Sequence, residues 1–143
     1  MSQPRTVAVV VGSLRKDSVS RKIARALEAL TPDLKFVEVE IGNLPHFDQD
    51  LEANPPAEWV AFRDQVKAAD AVLFVTPEYN RSIPGVLKNA IDVGSRPYGS
   101  SVWNGKPGAV ISASPGAIGG FGAYHHLRQT LVFLNVPALN VEA

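Results

Sequence analysis

The chain has 143 residues, 45% of them hydrophobic, which suits one globular domain with a buried core. Lys+Arg and Asp+Glu are both 14, so the net charge is zero, which argues against broad electrostatic binding to nucleic acid or a membrane surface. With no Cys, disulfides, thiol catalysis and Cys-ligated metal are excluded, and a reducing, cytoplasmic setting is expected. The N-terminus has no signal-peptide pattern, and no apolar run approaches the ~20 residues of a membrane span.

Residues 6–11 form a continuous apolar run, the mark of a strand buried on both faces. Residues 18–30 predict a helix capped by Ser18, with Ile23, Leu27 and Leu30 on one face. Residues 35–41 alternate imperfectly and predict a strand nearer the sheet edge; 42–56, with three prolines, predict a long loop. Residues 56–68 predict a helix with Trp59, Phe62 and Val66 inward, and 71–76 a second buried strand. Residues 83–94 predict a helix with Ile83, Val86, Leu87, Ala90 and Ile91 as its stripe. Its polar side, Lys88, Asn89 and Asp92, is read as part of a subunit interface rather than a solvated face. Residues 95–105 are irregular, 107–113 a third buried strand, 122–135 a helix and 136–141 the start of a fifth strand.

This alternation implies an α/β fold: a doubly wound parallel sheet of five strands with helices on both faces. Ligands in such folds sit outside the carboxyl ends of the strands. A fifth strand needs a closing helix, and the chain stops within that strand, so a missing tail or a partner is expected to cover one face.

Three loops leave the carboxyl ends. The first, residues 12–20, offers Ser13, Arg15, Ser18 and Ser20 at a helix start, a seat for a phosphorylated small molecule. It lacks the Walker ending and the Gly-x-Gly-x-x-Gly pattern, so neither of those nucleotide-binding modes is expected. The second, Thr76-Pro-Glu-Tyr-Asn-Arg-Ser, pairs an aromatic with an amide, which suits a flat heterocycle. The third, residues 114–122, holds four glycines that let the backbone approach a ligand. Each loop alone also reads as an ordinary cap, turn or connector; their coincidence on one sheet edge favours a site. Adjacent His125 and His126 point about 100° apart on a helix, so no metal site is expected.

Together these segments resemble the NADPH-dependent FMN reductase family, in the branch that contains quinone and chromate reductases. The carriers are Gly-Ser-Leu-Arg-x-x-Ser at 12–18, Thr-Pro-Glu-Tyr-Asn at 76–80, Pro-Gly-Val-Leu-Lys-Asn-Ala-Ile-Asp at 84–92 and His-Leu-Arg-Gln-Thr-Leu-Val-Phe-Leu at 126–134. The resemblance spans about residues 7–140. It implies one flavodoxin-like FMN-binding domain over 1–143 with sheet order 2-1-3-4-5. It implies that Ser13, Arg15, Ser18 and Ser20 hold the FMN phosphate. Pro77, Glu78, Tyr79 and Asn80 would line the isoalloxazine, and Ser114, Pro115, Gly116 and Gly119 its other edge. NADPH or NADH would pass a hydride to FMN, which then reduces a quinone, an azo compound or an oxyanion such as chromate; no catalytic acid or base is assigned. A homodimer or homotetramer through 83–95 and 124–134 is implied, with Arg128 an interface candidate.

The chain departs from the family in three ways. Ser20 stands where Asn is frequent, Arg81 stands where many members carry an aromatic, and members continue a few dozen residues further. Arg81 is therefore expected to contact substrate and favour anionic acceptors, or to pair with a carboxylate. The competing readings are a flavodoxin-like electron carrier, disfavoured by zero charge and Arg15, and a non-catalytic flavin-binding module.

Overall fold

In the computed structural model, which describes residues 4–139, the apolar run becomes strand β1 (Arg5–Val11), an inner strand of a four-stranded sheet. It pairs in parallel with β2 (Leu34–Glu38) on one side and β3 (Ala71–Pro77) on the other. β4 (Gly108–Ala113) pairs with the far edge of β3, giving the order β2-β1-β3-β4. The strand run is apolar throughout because both faces are covered. Ala8, Val10, Val72 and Phe74 belong to one core cluster, and Val7, Val9, Val11, Leu73 and Val75 to the other.

The larger core lies under α2 (Ala57–Ala68), α3 (Gly85–Gly94) and α4 (Phe121–Phe133). Trp59, Phe62 and Val66 from α2 meet Leu87 and Ile91 from α3, and Leu127 and Leu131 from α4. Trp103, in the expected irregular stretch, is wholly buried here. Its ring lies 5.5 Å from Phe74 and 6.0 Å from Phe62, and its Nε1 donates to the Ile91 carbonyl at 3.0 Å. On the opposite face, α1 (Val19–Leu30) packs alone among the described helices. Beside it an apolar hollow of about 390 Å³ is lined by Leu27, Phe36, Leu73, Ala109 and Ile111.

Three expectations are corrected. Among the described residues the sheet has four strands, not five. Within the described residues the expected fifth strand is a single parallel bridge between Ala138 and the outer edge of β4 at Gly108. Gly108 N–H donates to the Pro137 carbonyl and Leu139 N–H to the Gly108 carbonyl, both at 3.0 Å. Pro137 has no N–H to add, and the rest of the predicted strand, residues 140–141, lies outside the described part.

Second, α3 starts two residues late, because Pro84 keeps Ile83 out of helical geometry. Third, Asn89 is not on a solvated or subunit-facing side. It is buried and ties the long loop to α3: its Oδ1 accepts from Phe47 N–H at 2.8 Å, and its Nδ2 donates to the carbonyls of Leu44 and Pro45. A loop carrying three prolines still has buried carbonyls to satisfy, and one amide side chain satisfies two of them. Lys88 and Asp92 pair with each other at 2.8 Å.

Candidate functional site

The carboxyl ends of β1, β3 and β4 release three loops toward one cavity. The first leaves β1 at Gly12, whose N–H donates to the Val75 carbonyl at 2.9 Å. A Cβ there would stand 2.8 Å from Thr76 Oγ1, so β1 and β3 can close up at this level only with glycine. The chain then passes Ser13 and Arg15 and enters α1. Ser18 caps that helix, its Oγ accepting from Arg21 N–H at 3.2 Å. Ser13, Ser18 and Ser20 are buried hydroxyl-bearing residues in an otherwise exposed loop. Asp17 pairs with Lys22, whose hydrogen bond and charge hold the Asp17 carboxyl below the usual carboxylate range. That pairing leaves Arg15 and Lys16 as the loop's net charge.

The second loop is a two-residue hairpin. Tyr79 N–H donates to the Ser82 carbonyl at 2.9 Å, and Ser82 N–H to the Tyr79 carbonyl at 3.0 Å. Its central residues, Asn80 and Arg81, both have positive φ, 51° and 62°. Asn tolerates that region; Arg does so at a cost that its surroundings must offset. Three contacts with α4 hold it. Glu78 Oε2 accepts from Ala123 N–H at 3.1 Å, while its Oε1 meets Arg81 Nη1 at 3.4 Å. Ser82 Oγ lies 2.9 Å from His126 Nδ1. Gly122 lies against the Arg81 carbonyl so closely that a Cβ would stand 2.3 Å from the oxygen. The Glu78 side chain is 6% exposed and sits at the N-terminus of α4.

The third loop shows why its glycines are there. Gly119 has φ 57°, and a Cβ on Gly120 would fall 1.8 Å from Ser112 Oγ. Gly120 and Gly122 seat the first turn of α4 against β4 and the second loop. The expectation that they bring backbone to a ligand is therefore replaced by one of close packing. Gly116 donates to Ser114 Oγ at 3.2 Å.

The loops enclose a cavity of about 450 Å³. Of the expected residues, Ser13, Arg15, Ser20, Pro77, Glu78, Tyr79, Ser114 and Pro115 line it. Val19 and Ala113 are lining residues that sequence reading missed; small apolar side chains carry no chemical signal. Ser18, Asn80, Arg81, Gly116 and Gly119 are beside the wall rather than in it, Ser18 as the helix cap and Arg81 in the Glu78 pair. The His125 ring lies against Phe121 at a tilt of 51°, centroids 4.1 Å apart, and among the described residues no three metal-ligating side chains come together.

One end of this cavity is cationic and rich in hydroxyls, and the other presents a tyrosine and two prolines. The model of the NADPH-dependent FMN reductases matches residues 5–142. The chain belongs to that family. This reductase is 64% identical to the quinone reductase of Pseudomonas putida over 143 residues, 99% of the chain and 77% of the relative. It is 53% identical to a 2-hydroxy-1,4-benzoquinone reductase of a Burkholderia species, over 94% of the chain and 74% of the relative. Among solved structures it superposes on FerB, a flavoenzyme NAD(P)H:(acceptor) oxidoreductase from Paracoccus denitrificans, with a TM-score of 0.93. Identity to FerB is 46%, covering 97% of this chain and 77% of that one. The fold is accordingly flavodoxin-like, and the reductase is an enzyme of a family that uses FMN and NAD(P)H.

Proposed function

We propose that this reductase binds FMN in the 450 Å³ cavity as one domain over residues 1–143 and carries electrons from NADPH or NADH to quinones. The observation that carries the reading is the polarity of that cavity. Arg15 with the hydroxyls of Ser13 and Ser20, and of Ser18 behind them, suits the phosphate; Pro77, Tyr79 and Pro115 suit a flat ring. The Leu14 and Lys16 amides donate to no protein acceptor among the described residues, so the seat has backbone donors in hand. When bound, FMN supplies the hydride chemistry. The chain's part is to hold the phosphate, pack the ring against Tyr79 and Pro115, and keep Glu78 and Asn80 at the mouth. Ser114, Gly116 and Gly119 shape the ring's other side. Arg81 stays with the acceptor side of this reading, its charge shared with Glu78, and azo compounds and chromate are further acceptors. The Cys-free composition fits a cytoplasmic setting, where NAD(P)H is supplied.

The test combines turnover with binding. The holoprotein should oxidise NAD(P)H with a neutral quinone and no partner reductase; dependence on a separate reductase would favour an electron carrier. FMN should bind far more tightly than FAD. Arg15→Ala should weaken FMN by about 1.5–3 kcal/mol, read from flavin fluorescence, as for a charge-assisted hydrogen bond. An unchanged affinity would make Arg15 an ordinary surface cation.

A homodimer or homotetramer through α3 and α4 belongs to the same proposal. Leu131 on α4 is fully buried, yet Val132 and Phe133 beside it are 74% and 88% exposed, and Phe121 is exposed at the helix start. One helix cannot turn four consecutive apolar residues into its own core, and the remainder is a patch suited to a second copy. Sedimentation at micromolar protein should show an oligomer. A species at 15.3 kDa alone would count against it.

A further inference from the structure

Arg21 belongs to no motif singled out above, and it does not line the cavity. It stands at the third position of α1, one turn after the Ser18 cap, and spends its whole guanidinium on one task. Its Nη1 donates to the Arg15 carbonyl at 3.1 Å and its Nη2 to the Ser13 carbonyl at 3.3 Å. Its Nε donates to Glu38 Oε1, at the end of β2, at 2.7 Å. Three donors of one rigid plane thus fix two alternate peptides of the first loop to the neighbouring strand.

The consequence follows from peptide geometry. In a trans peptide the C=O and the following N–H point in opposite directions. Turning the Ser13 and Arg15 carbonyls onto Arg21 turns the Leu14 and Lys16 N–H groups the other way. Neither of these amides takes a protein acceptor among the described residues. A loop of this kind left to itself can flip either peptide and present a carbonyl to an anion instead.

We infer that Arg21, anchored by Glu38, is a positioning residue that holds the first loop in its anion-accepting form, and so sets the preference for a phosphorylated flavin. The inference rests on the reading of that loop as the flavin phosphate seat. Lysine cannot replace Arg21 in this task, because an ammonium is a point donor without the planar fork that reaches two carbonyls and a carboxylate at once.

The full chain, freed of flavin, is titrated with FMN and with riboflavin, which has the same ring and no phosphate. The wild type should prefer FMN strongly. Arg21→Lys keeps the charge and should weaken FMN on the order of tenfold, while riboflavin stays within about twofold. Glu38→Ala, an exposed substitution at the sheet edge, should weaken FMN selectively and by less; it also serves if Arg21→Lys does not fold. Wild-type FMN affinity in both variants, or equal losses for both flavins, would overturn the positioning role. A wild type that does not distinguish FMN from riboflavin would instead overturn the phosphate seat, and the inference with it.

Discussion

Gly122→Ala should cost this reductase most of its function. The new Cβ would stand 2.3 Å from the Arg81 carbonyl oxygen and 2.9 Å from its carbon. Both atoms are backbone of a hairpin whose residues already sit at positive φ, and Gly122 itself lies in the first turn of α4. No side chain can swing aside. Either α4 lifts, breaking the Glu78–Ala123 hydrogen bond, or the hairpin carrying Tyr79 and Asn80 moves off the cavity. Overpacking of this kind costs about 1–3 kcal/mol. If the hairpin yields, FMN affinity should fall by about ten- to a hundredfold. Fluorescence titration and kcat/KM with a neutral quinone check this. Gly85→Ala is the control: no heavy atom lies within 4 Å of its new Cβ, so it should be neutral or stabilise by up to about 1 kcal/mol. Unchanged FMN binding in Gly122→Ala would mean that the hairpin and α4 are not clamped together.

Trp103→Ala should be the most destabilising single truncation, at about 3–5 kcal/mol. The indole is fully buried where α2, α3 and β3 meet, against Phe62, Phe74 and the face of Gly94, whose Cβ would fall 2.6 Å from the ring. Removing it leaves a cavity lined by aromatic rings that cannot close by small movements. Against a total stability of about 5–15 kcal/mol, the loss brings the domain near its unfolding threshold. Trp103→Phe should cost less, about 1–3 kcal/mol. The Ile91 carbonyl that loses the indole donor still accepts from Ser95 N–H at 3.0 Å, so no buried acceptor is orphaned. Urea denaturation without excess flavin separates the two variants, since a bound ligand would add its own stabilisation. A cost below about 1 kcal/mol for Trp103→Ala would contradict its place in the core.

Local pattern carried much of the architecture. The apolar runs at Val7–Val11 and Val72–Val75 could only be strands covered on both sides, and the Ser18 cap and the Trp59, Phe62, Val66 spacing marked helices. Alternation of those elements implied a parallel sheet, and the sheet implied where its loops must gather. Eight of the twelve expected cofactor residues accordingly line one cavity: Ser13, Arg15, Ser20, Pro77, Glu78, Tyr79, Ser114 and Pro115. The four motifs also identified the family correctly.

What composition and spacing could not reach were interactions between residues distant in sequence. Asn89 read as a polar helix face, and its role as the tie to Leu44, Pro45 and Phe47 exists only when α3 meets the long loop. Gly120 and Gly122 read as freedom for a ligand, because a sequence shows the missing side chain but not the Ser112 and Arg81 atoms that would strike it. Arg21 carried no motif in the sequence. Its bonds to Ser13, Arg15 and Glu38 depend on the distance between α1 and β2, which chain order does not contain. The sequence by itself determined most of the secondary elements, the parallel class of their sheet and the family, since each depends on periodicity or on short motifs read within one stretch of chain. Only the tertiary structure decided which polar groups satisfy one another and which glycines have no room for a Cβ, because those depend on distances between stretches that meet only in the folded chain.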